Sequence, residues 1–151
     1  MRRTKMIVIS DGEHARFLKL AEDNALRTEF CFDSASAHKR SSDLGSDKPG
    51  RGFESAAAGR HAVNQRHDLH ELEKDKFSRY VGQRINEARA SGGFDELIVV
   101  APSRALAQIR ESLQRATKDK LIGTLAKDLV KVPDHELRPH LKEWIQPIGR
   151  R

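Results

Sequence analysis

MIVISDGEHARFLKLAEDNALRTEFCF, Met6 to Phe32, decides the fold. Met6-Ile7-Val8-Ile9 is an unbroken apolar run rich in β-branched residues, which reads as a central strand buried on both faces. Asp11-Gly12 turns the chain. Ala15 to Ala21 and Leu26 to Phe32 read as two further strands joined across Glu22-Asp23-Asn24. In the second of these, Leu26, Thr28, Phe30 and Phe32 alternate with Arg27, Glu29 and Cys31, the period-two pattern of a half-exposed strand. Three strands with short turns predict an antiparallel meander.

Downstream, residues 34 to 69 hold very little hydrophobic content. Connections in compact domains usually run about 2–6 residues, so a polar stretch of this length reads as a linker or a functional loop. It carries His38, His61 and His67, with His70 at its exit, and it is expected to be mobile when unbound. A helix is predicted from about His70 to Ser91. Leu72, Phe77, Tyr80, Val81, Ile85 and Ala88 approximate a 3.6-residue stripe, Asp68 is placed to cap the start, and Gly92-Gly93 ends the helix.

Leu97-Ile98-Val99-Val100-Ala101 is a second fully apolar strand, best placed beside the first and parallel to it. Pro102-Ser103 stops it, and Ser103 is placed to cap a helix with Leu106, Ile109, Leu113 and Ala116 on one face. Leu121 to Leu125 reads as a last strand. Pro133 then opens a closing helix with Leu137, Leu141, Trp144 and Ile145 at i, i+4, i+7 and i+8. The expectation is a single α/β domain over residues 1–151. Its sheet is mixed and five-stranded, a meander followed by βαβ, flanked by helices.

The 151 residues carry a net charge of +6, which favours polyanionic partners such as RNA, DNA or an acidic membrane surface. The apolar run near the start, Met6 to Ile9, is shorter than the ~7–15 residues of a secretory signal. No stretch approaches the ~20 apolar residues of a membrane span. One cysteine, Cys31, allows no internal disulfide, and a cytoplasmic location is expected. Cys31 itself reads as an inert packed thiol.

Two groups of residues are candidates for binding. Lys48-Pro49-Gly50-Arg51-Gly52-Phe53 combines glycines that let a backbone approach phosphate, Lys48 and Arg51 to neutralise it, and Phe53 to stack on a base. Arg60, His61 and His67 lie further along the same segment. Arg115, Lys118 and Lys120 belong to a second basic run, where cations also complement the end of a helix dipole. His67 and His70 near Asp68 and Glu71 match no dedicated metal-ligand spacing, so no metal or cofactor is expected. Asp134-His135-Glu136 reads as helix-start chemistry and not as an acid–base set. No catalytic centre is defined.

Asp11-Gly12-x-x-Ala15-Arg16-Phe17 resembles the bacterial host attachment protein family. So do Ser46-Asp47-Lys48-Pro49-Gly50-Arg51 with Phe53, Gly59-Arg60-His61-Ala62, Phe94-Asp95-x-Leu97-x-Val99-x-Ala101-Pro102, and Lys127-Asp128-Leu129 with Pro133-Asp134-His135-Glu136-Leu137. The resemblance covers essentially the whole chain and implies a role in attachment to host cells. The element order is also distantly similar to the middle domain of archaeal and eukaryotic peptide-chain release factors. There the corresponding loop carries a Gly-Gly-Gln tip; here Ala56-Ala57-Ala58-Gly59-Arg60-His61 stands in its place, and catalysis is not carried over to Gln65.

The reading favoured is non-catalytic binding to RNA or the ribosome through the basic Gly/Arg/His loop. The alternatives are a release-factor-like hydrolase acting on peptidyl- or aminoacyl-tRNA, using Arg60, His61 and His67, and a protein-interaction regulator with a partner in an attachment pathway.

Overall fold

A computed structural model describes residues 3–21, 23–44 and 62–145. β1 (Lys5–Ser10), β2 (His14–Leu20) and β3 (Leu26–Asp33) are followed by helices α1 (Ser34–Leu44) and α2 (Ala62–Ala90). Then come β4 (Glu96–Val100), α3 (Ser103–Ser112), α4 (Arg115–Lys118) and β5 (Leu121–Leu125). The chain closes on two 3-10 turns, Asp134–Glu136 and Arg138–Leu141.

The five strands form one sheet in the order β3-β2-β1-β4-β5. β1 pairs antiparallel with β2, and β2 with β3, whereas β1 with β4 and β4 with β5 are parallel. The predicted mixed sheet, meander then βαβ, is the observed one. β1 is central, and Met6 to Ile9 are buried on both faces as the unbroken apolar run requires.

Each face has its own core. Met6, Val8, Phe17, Leu97 and Val99 pack under Phe77, Val81 and Ile85 of α2 and Leu106 and Ile109 of α3. Ile7, Ile9, Leu18, Ile98 and Val100 pack against Leu129, Val130, Leu137, Leu141 and Ile145. Helices therefore cover one face and the irregular 129–145 segment the other.

β3 departs from simple alternation. Phe17 pairs with Phe30 but Leu18 with Thr28, so Glu29 is an extra residue in a bulge. Because the bulge switches sides, Phe30 and Phe32 join the helix-covered core while Leu26 joins the other. Cys31 is exposed, not packed, because it lies on an edge strand and alternates with the inward Phe30 and Phe32.

The long polar segment is shorter than its composition suggested. Both its ends are helical, Ser34–Leu44 and from Ala62 onward. Asp33 caps α1, its Oδ1 accepting the Ser36 N–H at 2.9 Å. Among the α1 residues whose side chains are described, only Ala37 is buried, and the sequence of the helix has little apolar periodicity to read. α2 starts eight residues before the predicted His70. Asp68 is thus interior to the helix and does not cap it, and Leu72 is 54% exposed. Residues 62–70 contain neither Gly nor Pro, so nothing in them breaks α2 ahead of the part that packs. The helix ends as expected, with Gly92 at φ 77° and the Gly93 N–H on the Ala88 carbonyl at 2.8 Å.

Three further expectations change. Ser103 does not cap α3: Pro102 occupies that place, and its carbonyl accepts the Leu106 N–H at 2.8 Å. α3 stops at Ser112 because Leu113 is extended, so Thr117 and not Ala116 turns inward. The closing helix is only the pair of 3-10 turns. Pro139 has no N–H to donate and its ring crowds the carbonyl four residues back, which breaks an α-helix. Leu137, Leu141 and Ile145 are nevertheless buried.

Candidate functional site

Lys48, Arg51, Phe53, Arg60 and His61 lie outside the described residues. His67 falls in the early turns of α2. Arg115 and Lys118 are exposed on α4, and Lys120 leads into β5 half-exposed. α4 is held against the far end of α2, where Arg89 donates to Thr117 Oγ1 at 3.2 Å and to Gln114 Oε1 at 2.7 Å. From His67 to Arg89 the helix rises about 33 Å at 1.5 Å per residue. His67 and the Arg115, Lys118 and Lys120 group are therefore at opposite ends of α2, while the rest of the first predicted group lies outside the described residues.

Exposed cations lie between and around these ends. Arg66, Lys76 and Arg79 are exposed on α2, and Arg79 donates to Gln108 of α3 at 3.1 Å. Arg110 is exposed on α3. Among the described residues, Arg110, Arg115, Lys118 and Lys120 have no carboxylate within ion-pair distance, whereas Lys76 lies 3.4 Å from Glu73. These residues are cations distributed over α2, α3, α4 and the start of β5.

The carboxyl ends of β1 and β4 enclose a different site. The chain leaves β1 toward β2 and leaves β4 toward β5, so a crevice opens between them, the usual ligand position in open α/β sheets. Its volume is about 350 Å³. Asp11, Glu71, Lys74, Asp75, Arg104 and Asp128 line it, with Ser78 in its wall. Three stretches from the family resemblance, around Asp11-Gly12, Ala101-Pro102 and Lys127-Asp128, meet here.

Asp75 and Arg104 form a two-pronged ion pair at 2.9 and 2.8 Å. The Arg104 hydrogen bonds hold the Asp75 carboxyl below its ordinary pKa, against an opposing desolvation. Glu71 lies 3.7 Å from Arg104 and 3.9 Å from Lys74. Asp11 Oδ1 accepts the N–H groups of Glu13 and His14 at 2.8 and 2.6 Å. Ser78 is 1% exposed, and its Oγ has no hydrogen-bond partner among the described residues. His70 stands 3.8 Å from Glu13. No group of three or more His, Cys, Asp or Glu among the described residues is placed to hold a metal ion.

Asp134 has an architectural role. Its Oδ2 accepts the Thr28 N–H at 2.9 Å, its Oδ1 accepts the Thr28 hydroxyl at 2.6 Å, and the Arg16 guanidinium donates to it. His135 beside it is exposed. The acid–base reading of Asp134-His135-Glu136 has no support in this geometry, and the helix-start reading changes too, because the carboxylate reaches across to β2 and β3.

No helix among the described residues is long and apolar enough to cross a membrane. Among solved structures, an archaeal translation termination factor aligns with 93% of this chain at 14% identity and a TM-score of 0.49. The chain spans 39% of that factor's length. No curated protein matches the chain significantly. The family model described as "protein required for attachment to host cells" matches residues 6–141, and the chain belongs to that family.

Proposed function

We propose that this host-attachment family member is a non-catalytic binding module that associates with RNA or the ribosome in the cytoplasm. Its contribution to attachment is then indirect, through what it binds inside the cell. The observation that carries the reading is the set of exposed cations Arg110, Arg115 and Lys118 with the half-exposed Lys120, which no carboxylate among the described residues neutralises. Cations left unpaired on a surface are available to phosphate, and each one engaged releases counterions.

The separation of His67 from the α4 cations shapes the proposal. A ligand that touches both must extend about 33 Å along α2, which suits a nucleic-acid backbone better than a small molecule. His67 serves the α2 entrance and Arg115, Lys118 and Lys120 the far end, with Lys48, Arg51, Phe53, Arg60 and His61 proposed as further phosphate and base contacts.

The test is binding of fluorescently labelled bulk tRNA, and of purified ribosomes, by the full chain and by a variant carrying R115E, K118E and K120E. Loss of at least tenfold in affinity at low salt is expected. Unchanged affinity in the variant removes the far-end surface from the function.

A further inference from the structure

We infer that the cavity between the β2–β3 turn and the closing 3-10 turns binds the phosphate group of a small phosphorylated molecule. The inference is independent of the RNA-binding reading, which rests on other residues.

The cavity has a volume of about 510 Å³, within the ~300–1,000 Å³ range of small-ligand pockets. Two segments far apart in sequence wall it. Ala25 to Thr28 come from the start of β3 and the turn before it, and Asp134, His135 and Arg138 from the closing segment. Arg27 and Arg138 reach the same place from these two walls. Arg27 Nη2 donates to Asp23 Oδ2 at 3.0 Å. Arg138 Nη2 donates to the carbonyl of Asn24, the next residue. Both guanidinium groups are therefore held at one turn.

The balance of charge in the lining favours an anion. Arg27, His135 and Arg138 face one carboxylate, Asp134. That carboxylate is already held by the Arg16 guanidinium and by the Thr28 hydroxyl and N–H. Asp23 and Glu136 stand outside the lining, beside Arg27 and His135. All four of these side chains are at least 60% exposed, and ion pairs so open to water are weak. They do not keep a doubly charged ligand from the guanidinium groups. Arg138 is half-buried, and burial pushes its guanidinium below the ordinary value. A bound anion offsets that desolvation.

Donor geometry then selects among anions. Each guanidinium offers N–H groups in a planar fork that matches two oxygens at a time. A single carboxylate occupies one fork. A phosphate monoester, with three terminal oxygens and about two negative charges, occupies both. The stretch Pro133 to Leu137, which carries part of the family resemblance, supplies Asp134 and His135, and Arg138 follows it directly.

The experiment is calorimetric titration of the full chain with glycerol 3-phosphate, inorganic phosphate and acetate at one fixed ionic strength. Saturable one-to-one binding of both phosphates is expected, with acetate weaker by about tenfold or more, as loss of a charged contact implies. R27E should weaken glycerol 3-phosphate about fivefold, the scale of an exposed charge pair. R138Q should weaken it by about tenfold or more, and R138K should recover only part, because an ammonium lacks the fork. Melting curves show whether the Arg138 variants fold; R27E changes an exposed side chain and decides the matter if they do not. The variant carrying R115E, K118E and K120E should bind glycerol 3-phosphate as wild type does. No saturable binding of either phosphate, acetate binding as tightly as phosphate, or an affinity unchanged in R27E overturns the assignment. So does loss of phosphate binding in the R115E, K118E and K120E variant. Displacement of glycerol 3-phosphate by bulk tRNA, with tRNA affinity lowered in R27E, also overturns it, because the site then serves a nucleic-acid backbone and not a small molecule.

Discussion

The Arg16 guanidinium, on β2, donates to the Asp134 carboxylate, 118 residues further along the chain. The same Arg16 nitrogen, Nη1, reaches the carbonyls of Leu129, Val130 and Val132 at 3.4, 3.0 and 2.5 Å. One side chain thus fixes the irregular segment that seals the second face of the sheet. Arg16 is 14% exposed and Asp134 34%, so the pair is partly shielded from water. Replacing Arg16 by Ala strands the carboxylate and the carbonyls it served. Breaking a buried pair costs ~3–5 kcal/mol, and the exposure of Asp134 reduces this to about 2–4 kcal/mol. Chemical denaturation of R16A measures it. R16K should recover only part of the loss, because an ammonium cannot reproduce the fork.

Acid should expose the same contact. Burial pushes the Asp134 carboxyl up, but the Thr28 hydroxyl and N–H and the Arg16 guanidinium together hold it below its ordinary value. A depressed carboxylate stabilises the fold above its unfolded pKa, and that stability is lost as pH falls through the folded value. Wild type should therefore lose stability below about pH 4. D134N should start less stable at neutral pH and show a flatter profile in acid. Parallel profiles for the two proteins would contradict the role given to Asp134.

Trp144 offers an optical readout. It is the single tryptophan, and a Cβ placed at Gly123 would overlap its indole ring. G123A should displace the ring from β5, at a cost of about 1–3 kcal/mol for overpacking, and red-shift the fluorescence of the native protein. An unshifted spectrum would mean that the indole does not lie over Gly123.

Cys31 is exposed on β3, so a thiol reagent should modify it fully in the folded protein without denaturant. Modification only after unfolding would restore the packed-thiol reading.

The sheet was legible from composition along the strands. Met6 to Ile9 and Leu97 to Ala101 could only be buried on both faces, and that alone puts β1 and β4 together at the centre. The bulge at Glu29 was not legible, because a perfect two-residue alternation conceals which partner gains a residue. α1 was not legible because its sequence, Ser34 to Leu44, carries no apolar stripe. The closing segment was misread as an α-helix because Leu137, Leu141 and Ile145 keep helical spacing even as Pro139 breaks the hydrogen-bond ladder. The basic residues of α4 were visible as charge, but their distance from His67 depends on the length of α2. The crevice was invisible as a unit: Asp11, Ser78, Arg104 and Asp128 come from four separate stretches.

The central claim is that exposed cations bind a phosphate backbone, and the most direct measurement is affinity for ribosomes or tRNA as a function of salt. The logarithm of the binding constant should fall linearly with the logarithm of salt concentration. For single-stranded contacts each phosphate contributes a slope of about −0.7, so reversing Arg115, Lys118 and Lys120 should make the slope shallower by about 2. No detectable association at about 50 mM salt, where such contacts are strongest, or a wild-type affinity indifferent to salt, would contradict the account.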